Sequence, residues 1–111
     1  MSAFNELMAH CSGKANLGMI LVDGGMCTYR YRKDDVVVIK VIIVLPESQG
    51  KGIGKMMLER LKRLRPVAIQ ANCPETLPSN RWYEHQGFVK TAVKRGRNQK
   101  INTWTLRLRK E

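Results

Sequence analysis

Val36-Val37-Val38-Ile39-Lys40-Val41-Ile42-Ile43-Val44-Leu45-Pro46-Glu47-Ser48-Gln49-Gly50-Lys51-Gly52-Ile53-Gly54-Lys55 reads as a strand, a turn and the start of a helix. Nine of the first ten residues are apolar, Lys40 being the exception, and most are β-branched. That pattern predicts a central strand over Val36–Leu45 with both faces buried. The glycines at 50, 52 and 54 then fall at a helix start, where backbone N–H groups have no intrahelical partner and the helix dipole favours negative charge. Such a turn is suited to holding phosphate.

On the N-terminal side, Ser2 caps an expected amphipathic helix to about Cys11, with Phe4, Leu7 and Met8 on its apolar side. Gly18–Val22 and Met26–Arg32 read as strands joined through Asp23-Gly24-Gly25, a hairpin turn signal. Lys33-Asp34-Asp35 turns the chain into the central strand. On the C-terminal side, Gly52–Arg65 reads as a helix with Ile53, Met56, Met57, Leu61 and Leu64 on one stripe, a Glu59–Arg63 pair, and Pro66 as its stop. Val67–Ala71 reads as a short buried strand and Cys73–Pro78 as a loop. A two-turn helix over Ser79–Gln86 is closed by Gly87. Phe88–Val93 and Ile101–Arg109 form a last strand pair around the basic loop Lys94–Lys100. The expected fold is α+β and forms one domain over residues 1–111: a mixed, mostly antiparallel twisted sheet with helices on both faces and one parallel, strand–helix–strand junction.

The chain has 111 residues and a formal charge of +11. Residues 1–50 balance five Lys or Arg against five Asp or Glu, whereas Val89–Glu111 sets eight basic residues against Glu111 alone. This asymmetric field attracts polyanions, whether nucleic acid, an acidic protein or a phosphorylated cofactor. No apolar run reaches bilayer length, so no membrane role is expected. Cys11, Cys27 and Cys73 are odd in number and lack metal-ligand spacing, which fits reduced thiols in a cytoplasmic protein.

Two phosphate-binding signatures fail on the glycine loop. A phosphate-loop ATPase needs Ser or Thr after Gly-Lys, and Met56 stands there; the dinucleotide fingerprint needs a glycine where Lys55 lies. Gln49-Gly50-Lys51-Gly52-Ile53-Gly54, directly after a strand ending Val-x-Pro, instead resembles motif A of the GNAT N-acetyltransferase family. Ser79-Asn80-Arg81-Trp82-Tyr83-Glu84-His85-Gln86-Gly87-Phe88 is similar to that family's motif B, one helix and one strand downstream. In motif terms the resemblance covers about Val36–Phe88, and in strand and helix order the whole chain.

The resemblance implies a GNAT-like sheet whose parallel strand pair splays. It also implies transfer of an acetyl group from acetyl-CoA directly to an amine acceptor. Gln49, Gly50, Lys51, Gly52, Ile53 and Gly54 would hold the pyrophosphate, and free backbone groups of Ile42, Ile43 and Val44 would pair with the pantetheine arm. Tyr83 would hydrogen-bond the leaving thiolate, and Asn80 is a further candidate for a cofactor contact or a helix cap. Glu47, His85, His10 and Glu6 are available as general base, with none selected.

Family members begin with an extra strand and two helices that line the acceptor groove, for which this sequence has about fifteen residues. A homodimer partner, the basic segment 90–110, or a large acceptor would have to complete that groove. The alternative from another functional class is a binding protein of the same fold that uses its basic hairpin, with Trp104, on nucleic acid or another acidic partner. Alternation along its strand, however, points Trp104 into the sheet.

Overall fold

The computed structural model describes residues 16–109, so the helix expected over Ser2–Cys11 lies outside the described residues. Strands β1 (Leu17–Val22), β2 (Gly25–Tyr31) and β3 (Val36–Val44) form an antiparallel meander. Helix α1 (Ile53–Lys62), β4 (Ala68–Pro74), helix α2 (Ser79–His85), β5 (Val89–Arg95) and β6 (Lys100–Arg107) follow. The six strands make one sheet in the order β1-β2-β3-β4-β6-β5, with β3–β4 its parallel pair.

The central strand departs from its expected burial at Lys40. Thr28 pairs with Val41 and Tyr29 with Ile39, so Lys40 is an extra residue bulging from β3. Before the bulge Val37 and Ile39 face the core; after it Ile42 and Val44 do. Val41 and Ile43 are left 42% and 46% exposed on the opposite face. Burial on both faces therefore holds for the first half of β3 and fails for the second.

Strand β4 also differs from its expected range. Its parallel pairing with β3 ends at Ile39↔Ala71, but its antiparallel pairing with β6 continues to Pro74↔Ile101. Cys73 and Pro74, read as the start of a loop, are strand because they pair with β6. The closing hairpin is likewise longer: Gly96 N–H donates to Gln99 O at 2.9 Å, and only residues 96–99 lie between the strands.

Helix α1 buries Met57, Leu58 and Leu61 against the sheet. Leu58 takes the place expected for Met56 and Leu64, which are both exposed. The helix stops at Lys62 rather than Arg65, and Arg65 has left-handed backbone (φ 58°) before buried Pro66. Glu59 pairs with Lys62 at 3.0 Å, not with Arg63, whose position at the helix cap ends the regular turn.

Both described helices cover the same sheet face. They share one apolar cluster that includes Cys27, Val37, Ile39, Ile69, Ala71, Cys73, Tyr83, Phe88 and Trp104. The opposite face carries polar cross-strand pairs: Gln70 Nε2 donates to Thr105 Oγ1 (3.3 Å) and Thr103 Oγ1 to Asn72 Oδ1 (2.8 Å). The expectation of helices on both faces thus turns on residues 2–11, outside the described region.

Candidate active site

The end of β3 ties itself to the glycine loop. Pro46–Ser48 forms a single 3-10 turn, and Gln49 Nε2 donates to Val44 O at 3.2 Å. Gln49 therefore caps the strand, and the Val44 carbonyl is already engaged. From Gly50 the main chain changes character. The backbone N–H groups of residues 50 through 55 make no hydrogen bond among the described residues; the next amide, Met56 N–H, bonds Gly52 O at 2.9 Å. Consecutive donors at a helix start, unpaired among the described residues and with Lys51 and Lys55 exposed beside them, make a surface suited to an anion.

The glycines hold this surface in two different ways. Gly50 and Gly52 have φ of 81° and 80°, and a Cβ on either would meet nothing within 4 Å, so their requirement is conformational. Gly54 is needed for packing: a Cβ there would lie 3.0 Å from Trp82 Cζ2, where α1 crosses α2.

Beside this surface lies the opening between β3 and β4. Past Ile39↔Ala71, residues 41–44 pair only with β2 and residues 72–74 only with β6. The opening runs about 16 Å along β3 at roughly 3.3 Å per residue. Alternate residues of an antiparallel strand direct their backbone groups away from the partner. The segment containing Ile42, Ile43 and Val44 therefore offers main-chain groups to the opening.

Tyr83 faces the same region from the helix side. It is 5% exposed, with edge-on contacts to Trp82 (centroids 5.3 Å apart) and Phe88 (5.2 Å). Burial raises its phenol well above the ordinary range, and neighbouring Cys73 (β4) and Cys27 (β2) add to the effect. Its hydroxyl has no hydrogen-bond partner among the described residues, yet no side-chain oxygen or nitrogen sealed from solvent lacks one. Its ring is enclosed.

The Asn80 side chain, a candidate for a cofactor contact, is engaged with protein groups in this structure. Its Nδ2 donates to Pro74 O (2.8 Å), Leu77 O (2.8 Å) and Glu75 O (3.3 Å), while its Oδ1 accepts from Trp104 Nε1 (2.8 Å) and Asn102 Nδ2 (3.0 Å). It does not cap α2 either, where the cap position is Pro78 and makes no side-chain bond. Its role is to clamp the loop after β4 to α2 and β6. Trp104, 7% exposed with its indole N–H engaged, is unavailable for base stacking. Glu47 and His85 are both exposed, in the turn after β3 and at the end of α2; Glu6 and His10 lie outside the described residues. The thiols of Cys27 and Cys73 beside Tyr83 escaped the sequence reading, since only the strand register aligns them on one face.

Residues 8–90 match the acetyltransferase (GNAT) domain, and the chain belongs to that family. No curated protein matches the sequence. Solved structures share the fold at low identity. A GNAT-family protein from Desulfovibrio desulfuricans is 20% identical (93% of this chain, 75% of that one, TM-score 0.75). An acetyl-CoA-bound GNAT acetyltransferase from Elizabethkingia anophelis is 17% identical (93% and 82%, TM-score 0.68). A Bacillus subtilis acetyltransferase in complex with CoA is 17% identical (93% and 83%, TM-score 0.67).

Proposed function

We infer that the protein binds acetyl-CoA and transfers its acetyl group directly to an amine acceptor. The observation that carries this reading is the run of free amides from Gly50 to Lys55, contiguous with the opening between β3 and β4. The amides suit a pyrophosphate, with Gly50 and Gly52 presenting no side chain to obstruct its approach. Unpaired main chain near Ile42 and Ile43 suits the amide-bearing arm of the same molecule, and an N–H there can polarise an acyl carbonyl. The Tyr83 hydroxyl, held protonated by burial, can donate a hydrogen bond to sulfur as the thioester breaks. The amine's lone pair forms the new C–N bond, the C–S pair leaves on sulfur, and the amine's proton passes to solvent or an exposed base.

The binding-protein alternative loses its stacking platform with the burial of Trp104 and retains the exposed charges of β5 and of Arg97, Lys100, Arg107 and Arg109. Calorimetric titration with acetyl-CoA, followed by thiol release over a panel of amines (peptide N-termini, lysine, polyamines, aminoglycosides), tests the reading. One-to-one binding with amine-dependent thiol release is expected. Absence of binding overturns the assignment. Binding without release from any amine, together with steeply salt-dependent DNA affinity, favours the alternative.

A further inference from the structure

A second concavity lies apart from the β3–β4 opening, between α2 and the β5–β6 hairpin. Its volume is about 530 Å³, and Trp104, Phe88 and Asn102 line it beside four charged residues, Glu75, Arg81, Glu84 and Lys90. That volume falls in the range of small-molecule sites. These four exposed charges form no ion pair with any described residue, although Arg81 and Glu84 are one turn apart on α2. Two acids and two bases thus line one cavity without pairing among the described residues.

The lining adds chemical direction. Asn102 is 8% exposed, and its Nδ2 donates to Asn80 Oδ1, which orients the carboxamide. Its Oδ1 accepts no hydrogen bond among the described residues, and no sealed side-chain oxygen lacks a partner. Asn102 lines the cavity. Trp104 Nε1 and the Asn80 carboxamide are already hydrogen-bonded, which leaves recognition of a ligand to the charged residues of the lining. Glu75 and Glu84 select an ammonium group. Arg81 and Lys90 select an anionic group on the same ligand.

We propose that this cavity is a binding site for a small zwitterion carrying an ammonium and a carboxylate, of amino-acid to dipeptide size. It is separate from the acetyl-CoA surface, and the proposal does not depend on the acetyltransferase reading. Asn80 joins its lining to α2, the helix that carries Tyr83, so occupancy would brace that helix.

The test is calorimetric titration of the full chain with alanyl-alanine, its N-acetylated form and its C-terminal amide, each with and without saturating CoA. Alanyl-alanine is expected to bind whether or not CoA is present. Loss of either terminal charge should weaken binding at least tenfold. Glu84→Gln should weaken alanyl-alanine binding by a similar factor while leaving the N-acetylated form unaffected, and Arg81→Gln should do the same with respect to the amide. Both substitutions are on exposed positions and should leave thermal unfolding unchanged. No binding of alanyl-alanine at millimolar concentration, equal affinity for all three probes, or competition with CoA would each overturn the proposal.

Discussion

Replacing Tyr83 with phenylalanine separates chemistry from architecture, because the structure assigns the ring and the hydroxyl different work. The ring is enclosed between Trp82 and Phe88, with centroids 5.3 and 5.2 Å away. Such edge-on pairs contribute about 0.5–1.5 kcal/mol each beyond burial, and phenylalanine keeps both. The hydroxyl has no partner among the described residues, so its removal orphans nothing, and stability should change by less than about 0.5 kcal/mol. Turnover should respond differently. Burial keeps the phenol protonated through neutral pH, so in the proposed reaction it would donate a hydrogen bond to a leaving thiolate of lower pKa. Positioned acids contribute roughly 10²–10⁴-fold, and a donor that does not fully give up its proton belongs at the lower end. The expected loss in kcat is therefore about 10²-fold, or about 2.7 kcal/mol in barrier, with the Kd for acetyl-CoA within about twofold of wild type. Thiol-release kinetics, calorimetry and thermal unfolding on one preparation make the comparison, with Tyr83→Ala as the packing control expected to lose about 3–5 kcal/mol of stability. Any fall in rate caused by Tyr83 ionisation must begin above pH 10; a basic limb below pH 9 belongs to another group. A Tyr83→Phe enzyme turning over within twofold of wild type would refute the role of the hydroxyl.

Gly52→Ala places a side chain at φ 80° in open space, so a strain of about 1–2 kcal/mol, without a clash, is expected to raise the Kd for CoA about tenfold. Calorimetry checks this, and unchanged affinity would show that the amides do not hold the ligand. Asn80→Ala leaves the Trp104 and Asn102 donors unpaired and releases the loop after β4, with an expected cost of about 2–4 kcal/mol and a drop in Tm of about 10–25 °C. Burial pushes the Cys27 thiol from 9.0 up to about 12. The unfolded chain then gives up its proton first, so this contribution is complete below pH 9 and is lost as pH rises toward 12. Between pH 8 and 10.5 urea titration should show about 2 kcal/mol less loss of stability in Cys27→Ala than in wild type; equal losses would contradict the burial-driven shift.

The fold was readable wherever one local signal decided the outcome. The Asp23-Gly24 turn, the Val36–Val44 apolar run and the Gly87 stop each appear where turn chemistry and periodicity place them. Errors arose where a partner strand decides. Cys73 and Pro74 look like loop until they pair with β6, and Met56 looks interior until the helix meets the sheet with Leu58 instead. The geometry of the glycine loop was legible because glycine spacing reports main-chain conformation directly, as the positive φ at Gly50 and Gly52 shows. The role of Asn80 was not, since its five hydrogen bonds join a loop, a helix and a strand separated by up to 24 residues. No local pattern encodes such a clamp.

One residue links the sheet to the site. The bulge at Lys40 follows immediately on Ile39, the last residue of β3 to pair with β4. A bulge bends its strand and increases local twist, turning the following segment away from its earlier course. On the other side, β4 remains straight in its ladder with β6 as far as Pro74. Past the bulge β3 keeps its pairing with β2 while β4 keeps its pairing with β6, and the opening lies between them. Lys40 is also the one polar residue in an otherwise apolar run, and being exposed it satisfies its charge at the bulge without disturbing the core. The interruption in hydrophobicity and the interruption in pairing are thus the same event. The free main chain that a thioester-bearing ligand requires is generated by the element that otherwise serves as the centre of the sheet.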